Sequence, residues 1–298
     1  MNRKEIIATL KKKRDAVILA HNYQLPEIQD VADFVGDSLE LSVKARETDA
    51  ATIVFCGVDF MAETAKILCP EKTVLLPVRD ATCPLANYLD ANMLTKAKQL
   101  HPGVPVVLYI NSTAESKAYA DVVCTSANAV KVVKSLPSDE VMVGPDANLA
   151  AYIQDQIPDK KIIPLPPEGH CYVHEYFSEE DIREARKRGG MIICHPECRP
   201  QIQKDSDIIA STGGMVRAAP QGEVWNIFTE KGMAYRLQTL FPEKTFYVKE
   251  EAICEDMKKT TFDDLVLSLE RNQYKIELPP EIMDAARRAI ERMIEIGR

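Results

Sequence analysis

Three cysteines, Cys83, Cys171 and Cys254, recur along the chain at intervals of 88 and 83 residues, each closing a stretch of similar sequence. A chain built this way has to fold as three copies of one unit. Each copy then delivers one thiol, and three thiols brought to a common point suggest a metal site.

Other landmarks keep the same phase. The apolar runs AVILAHN, VVLYIN and MIICH bring in His21, Asn111 and His195, and a hydroxyl follows 17, 15 and 17 residues later as Ser38, Ser126 and Thr212. Each hydroxyl lies five residues after an aspartate: Asp33, Asp121 or Asp207. A third apolar run ends in an acid, Asp59, Asp146 or Glu230, and a fourth (TVLLP, KIIPLP, TFYV) precedes the cysteine. Cys56, Cys69, Cys124, Cys194 and Cys198 have no counterparts in all three units and read as ordinary cysteines.

A period near 85 residues is too long for a solenoid and suits a triplicated α/β domain. The Val/Ile/Leu-rich runs lack strict alternation, as strands buried on both faces of a parallel sheet do. Helix-like segments separate them, among them SEEDIREARKRG, with its serine start and glycine stop, NAVKVVKSL and KGMAYRLQTLF. The expected fold class is α/β: three similar three-layer α/β/α domains with parallel sheets, related by pseudo-threefold symmetry around a central site. The expected domains are residues 1-85, 86-172 and 173-254. Residues 255-298 follow as a helix, the strand YKIEL and a last helix whose stripe Ile282, Ala286, Ile290 and Met293 packs back on the repeats.

With 46% apolar and 28% charged residues the chain reads as globular. It shows neither a signal core nor a run near the ~18 apolar residues of a membrane span, so a cytoplasmic location without membrane attachment is expected. Eight cysteines there are thiols or metal ligands sooner than disulfides. A net charge of -8 with no Lys/Arg-rich tract argues against nucleic acid.

Zinc often uses Cys-x-x-Cys, which is absent, although Cys171 with His174 and His195 with Cys198 form mixed pairs that leave a zinc-dependent hydrolase open. Three distant cysteines instead leave a 4Fe-4S cluster one ligand short, with an iron open to act as a Lewis acid. An iron-sulfur redox or iron sensor is the non-enzymatic alternative. Singly, each cysteine also reads as a small buried hydrophobe. His21, Asn111 and His195 lie at strand ends, where α/β folds bind ligands. Ser38, Ser126 and Thr212 stand at helix starts, where each is either a cap or an anion ligand.

The motifs AHNYQLPEIQD, GDS, VDFMAE, ATCPLAN, LYINSTAE, TSANAV, GHCYVH, HPEC, STGG and AICEDMKK, in this order, closely resemble the quinolinate synthases over essentially the whole chain. The resemblance implies condensation of iminoaspartate (iminosuccinate) with dihydroxyacetone phosphate to quinolinate, phosphate and water, in NAD biosynthesis. It also implies a functional link to the enzyme supplying iminoaspartate, and a 4Fe-4S cluster on Cys83, Cys171 and Cys254. By the same resemblance His21, Ser38, Tyr109, Asn111, Ser126, His195, Glu197 and Thr212 hold iminoaspartate. Tyr23 and Tyr109 are expected as protonated phenols, Glu197 as the general base, and His195 and His174 as proton carriers or phosphate contacts. Met61 is expected to line the cavity as packing.

Overall fold

The computed structural model describes residues 2–297. Three parallel four-stranded sheets, flanked by helices, follow one another along the chain. The first holds β1 (Ala16–His21), β2 (Phe34–Gly36), β3 (Thr52–Cys56) and β4 (Thr73–Leu75) in the order β2-β1-β3-β4. The second holds β5 (Val106–Tyr109), β6 (Val122–Cys124), β7 (Glu140–Gly144) and β8 (Lys161–Pro164), ordered β6-β5-β7-β8. The third holds β9 (Met191–Cys194), β10 (Ile208–Ile209), β11 (Val224–Phe228) and β12 (Thr245–Val248), ordered β10-β9-β11-β12. The first and third strands of each sheet are central and almost wholly buried, which is why they read as continuous apolar runs.

The triplication is also written in hydrogen bonds. Asp33, Asp121 and Asp207 each accept, through Oδ2, the backbone N–H of Ile18, Val106 or Ile192 at 2.8, 2.8 and 2.7 Å. The same aspartates donate their own N–H to those residues' carbonyls at 2.9 Å. This two-point bond fixes where the second strand starts relative to the first, and so fixes the position of the hydroxyl five residues later. Lys72, Lys160 and Lys244 repeat another device, each donating to a carbonyl in the loop before the third strand: that of Thr48, Leu136 or Gly222.

Helix limits follow local chemistry. Ser178 caps the helix Glu179–Arg188 in a reciprocal box with Asp181, and Gly189 ends it at φ 86°, a conformation costly for residues bearing a Cβ. The tail packs back on the repeats. The helix Phe262–Arg271 lies beside the N-terminal helix Arg3–Arg14 and buries Leu265 and Leu269 on the first sheet. The helix Pro280–Gly297 covers β6, and its Ala286, Ile290 and Met293 are fully buried. Burial of Ile290 or Met293 contributes about 1.5–3 kcal/mol each. The strand expected at YKIEL is corrected: the segment makes one antiparallel bridge, Leu75 to Lys275, and then leaves toward Pro279 and Pro280. β4 is three residues long and offers no further length to pair with.

Candidate active site between the three sheets

One repeated backbone bond brings the cysteines in. Past each third strand, the N–H of Asp59, Ala147 or Lys231 donates to the carbonyl of Ala81, Gly169 or Ala252, at 2.9, 2.8 and 2.9 Å. Each acceptor lies two residues before a cysteine, so Cys83, Cys171 and Cys254 are set at equivalent points of their repeats. These three are half-buried while the other five cysteines are fully buried, and all eight are free thiols. The three thiols line one cavity together with His21, Tyr23, Ser38, Tyr109, Asn111, Ser126, His174, His195, Glu197 and Thr212. Every site residue singled out in the sequence lines this cavity, as does Met61.

The hydroxyls are not caps. Asp37, one residue before Ser38, accepts the N–H groups of Leu39 and Glu40. Ser211, one residue before Thr212, accepts that of Gly214. In the second repeat Thr125 and Asn128 bond to each other around Ser126. Neighbours cap the first and third of these helices and Ser126 makes no cap bond, so Ser38, Ser126 and Thr212 present their hydroxyls to the cavity, Thr212 Oγ1 also accepting from Asn22 Nδ2 at 2.8 Å. The helix starts of the first and third repeats meet closely: a Cβ on Gly213 would lie 2.5 Å from Asp37 Oδ2.

Two histidines are prepared as donors. His21 Nδ1 accepts the N–H of Tyr23 at 3.2 Å, and His195 Nδ1 accepts that of Glu197 at 3.3 Å. In each ring the proton then sits on Nε2, which in His195 reaches Ser126 Oγ at 3.1 Å. Burial pushes both imidazoles down to about 3, His21 further through His195, so both are neutral.

The remaining groups form a chain. The Tyr23 hydroxyl meets Thr229 Oγ1 at 2.5 Å, and Thr229 Oγ1 meets His174 Nε2 at 2.8 Å. His174 Nδ1 lies 2.8 Å from Glu197 Oε2, approaching off the ideal hydrogen-bond line. The His174 ring stacks on that of His195, with centroids 4.8 Å apart. Burial alone would raise the Glu197 pKa. The adjacent His174 and His195 imidazoles, and last a hydrogen bond from Tyr109, outweigh it and hold the carboxyl below the usual carboxylate range. Burial, reinforced by Glu197, pushes the Tyr23 and Tyr109 phenols well up, so both stay protonated. Thr229 was not found from sequence, because its equivalents before Asp59 and Asp146 are Val58 and Pro145.

Cys171, His174 and Glu197 place one ligand atom each within 4.8 Å of one another and could hold a metal ion. The mixed pairs read from the sequence do not converge as a four-ligand set. Cys198 points into the third domain's core, where its Sγ contacts the Phe228 carbonyl at 3.4 Å. Among the described residues, no helix is long and apolar enough to cross a membrane.

Residues 5–295 match the family described as Quinolinate synthetase A protein. The chain is 56% identical over 294 residues to the quinolinate synthase of Thermococcus onnurineus, covering 98% of this chain and 97% of that protein. It is 56% identical to that of Pyrococcus abyssi over 98% of this chain and 99% of that one. With the Methanocaldococcus jannaschii quinolinate synthase it shares 48% identity over 98% of both. Built on three parallel sheets that bring three thiols and an acid-base chain to one cavity, and matched end to end by these relatives, the chain belongs to the quinolinate synthase family.

Proposed function

We propose that this protein condenses iminoaspartate with dihydroxyacetone phosphate to give quinolinate, phosphate and water. The observation that carries the reading is the convergence of one thiol from each repeat on a cavity that also holds neutral donors and a buried proton relay.

The donor set fits a cationic iron-sulfur centre. Burial pushes the Cys83 and Cys171 thiols well up and that of Cys254 to about 11, and the nearby thiols and acids add to the shift at Cys83 and Cys171. Among the described residues, no Lys or Arg lines the cavity to offset thiolates. Thiolates gathered here are stable only beside a bound cation. Cys83, Cys171 and Cys254 would hold a 4Fe-4S cluster, which when bound supplies an iron with a free coordination position as a Lewis acid for the loss of water.

The side chains account for binding and proton handling. The Nε2–H groups of His21 and His195, the hydroxyls of Ser38, Ser126 and Thr212, and the Asn111 amide offer neutral donors to carboxylates and phosphate. Because His195 donates to Ser126 Oγ, the Ser126 hydroxyl proton is left for the substrate. As Tyr23 accepts a proton from substrate, its own hydroxyl proton passes to Thr229 Oγ1 and the Thr229 proton to His174 Nε2. Glu197 at 2.8 Å stabilises the imidazolium that forms. A carboxylate held below its usual range is a weak base alone, so we assign proton acceptance to the His174–Glu197 pair, with Tyr109 orienting the carboxylate. Enclosure between three domains protects the imine from water.

The test is an anaerobic assay for quinolinate from iminoaspartate and dihydroxyacetone phosphate. Formation of quinolinate dependent on both substrates supports the reading. A protein carrying one zinc and no sulfide, inactive in this assay, would favour a metal centre on Cys171, His174 and Glu197 instead.

A further inference from the structure

The acid that follows the third strand of the last repeat plays no part in the chemistry above, yet Glu230 is fully buried. Its Oε1 lies 2.8 Å from Lys258 Nζ and accepts the backbone N–H of Cys254 at 3.3 Å. Its Oε2 accepts the N–H of Gly232 at 2.7 Å. Lys258 Nζ donates in turn to the backbone carbonyl of Tyr23. These groups converge on Gly232, where an added Cβ would lie 2.8 Å from Glu230 Oε2, Lys258 Nζ and the Tyr23 carbonyl oxygen alike. Two buried glutamines reinforce the junction. Gln24 donates to the Met257 carbonyl at 2.9 Å, and Gln29 to those of Asn22 and Gln24 at 3.0 Å.

A buried ion pair is weak evidence for stability, since well-packed apolar residues often do as well. Apolar residues cannot reproduce the directed bonds made here to the backbones of Tyr23 and Cys254. Those bonds join the first repeat, the segment just past β11 that carries Thr229, and the turn that carries the third cysteine. Neither Glu230 nor Lys258 lines the cavity, so neither touches substrate.

We infer that Glu230 and Lys258 are positioning residues: a buried latch that holds the Cys254 thiol and the Tyr23 phenol in fixed relation across the junction of the first and third repeats. The inference rests on Cys254 being a cluster ligand. With the Cys254 N–H held on a carboxylate, the loop bearing the thiol loses a rotational freedom. With the Tyr23 carbonyl held on the ammonium, the phenol keeps its 2.5 Å contact with Thr229. Loss of the latch loosens both ends at once, and outer partners of metal ligands typically matter by about 10–100-fold.

The experiment compares anaerobically prepared, cluster-loaded wild type with Glu230→Gln/Lys258→Met. The double change is central because either single change strands a buried charge or its partner. Iron release to a chelator, kcat, KM for both substrates and thermal unfolding are measured on the same samples. The latch predicts a folded variant that releases iron about 10-fold faster or more, with kcat lowered about 10–100-fold and KM little changed. A folded double variant with wild-type iron release and kcat overturns the inference. A double variant that fails to fold assigns the pair to holding the fold, and overturns it equally. Wild type that takes up no iron and sulfide removes the cluster reading first, and this inference with it.

Discussion

Replacing Thr229 with valine removes one hydroxyl and almost no volume, and that hydroxyl links the Tyr23 phenol at 2.5 Å to His174 Nε2 at 2.8 Å. Thr229 is fully buried and does not line the cavity, so no water or substrate group stands ready to replace it. The structure therefore predicts two separable costs. Stranding the phenol and the imidazole costs about 1–3 kcal/mol of stability for each polar group left unpaired. Cutting the proton path costs about 10²-fold or more in kcat, the usual contribution of a positioned acid or base, or about 3 kcal/mol of barrier. KM for both substrates stays within about 3-fold, because binding groups are untouched. Steady-state quinolinate formation under anaerobic conditions, with thermal unfolding as the stability control, measures both. Thr229→Ser, which keeps the hydroxyl, recovers most of the turnover. A Thr229→Val enzyme with kcat within about 3-fold of wild type would refute the relay and leave Tyr23 to act through solvent.

Glu197→Gln keeps shape while removing the charge that stabilises the His174 imidazolium, so turnover falls about 10²-fold with iron and sulfide content unchanged; near-normal turnover reduces Glu197 to a contact residue. Ser126→Ala weakens quinolinate binding by about 1–3 kcal/mol, read by calorimetry. It leaves the following helix intact, since Thr125 and Asn128 hold that helix start, and a stability loss with unchanged affinity would contradict this. Acid lowers the stability of the cluster-free protein. His21 and His195, held at about 3 when folded against 6.5 as the reference, bind protons only after unfolding between these values. Their contribution is complete above pH ~6.5 and falls as pH drops toward ~3, by up to about 1.4 kcal/mol per pH unit for each histidine. Urea unfolding at pH 7.5, 6 and 5 measures it, and a flat profile would mean the imidazoles are not buried neutral.

The repeat phase in the sequence led directly to the thiols, the hydroxyls and the strand-end side chains, because one hydrogen-bonding scheme fixes all three copies: Asp33, Asp121 and Asp207 hold the first strands and the bonds to Ala81, Gly169 and Ala252 place the cysteines. Features carried by one copy alone stayed hidden for the same reason. Thr229 has Val58 and Pro145 at its equivalent positions, and Lys258 lies past the last repeat. The adjacent polar pairs Asp37-Ser38 and Ser211-Thr212 left open which member caps its helix. Only the backbone decides, and it puts Asp37 and Ser211 at the caps, extended at ψ 174° and 167°. The alternation in YKIEL reads as a strand, but prolines follow at once and the edge it meets is short.

The claim on which the rest depends is that one thiol from each repeat converges on a single cluster. Iron and acid-labile sulfide are counted in anaerobically reconstituted wild type and in the alanine variants of Cys83, Cys171 and Cys254, with Cys56→Ala and Cys124→Ala as controls. The account predicts about four iron and four sulfide per chain in wild type and both controls, with loss of the stable cluster in each of the three repeat-phased variants. A full cluster surviving in Cys171→Ala, or one zinc without sulfide in wild type, would contradict it.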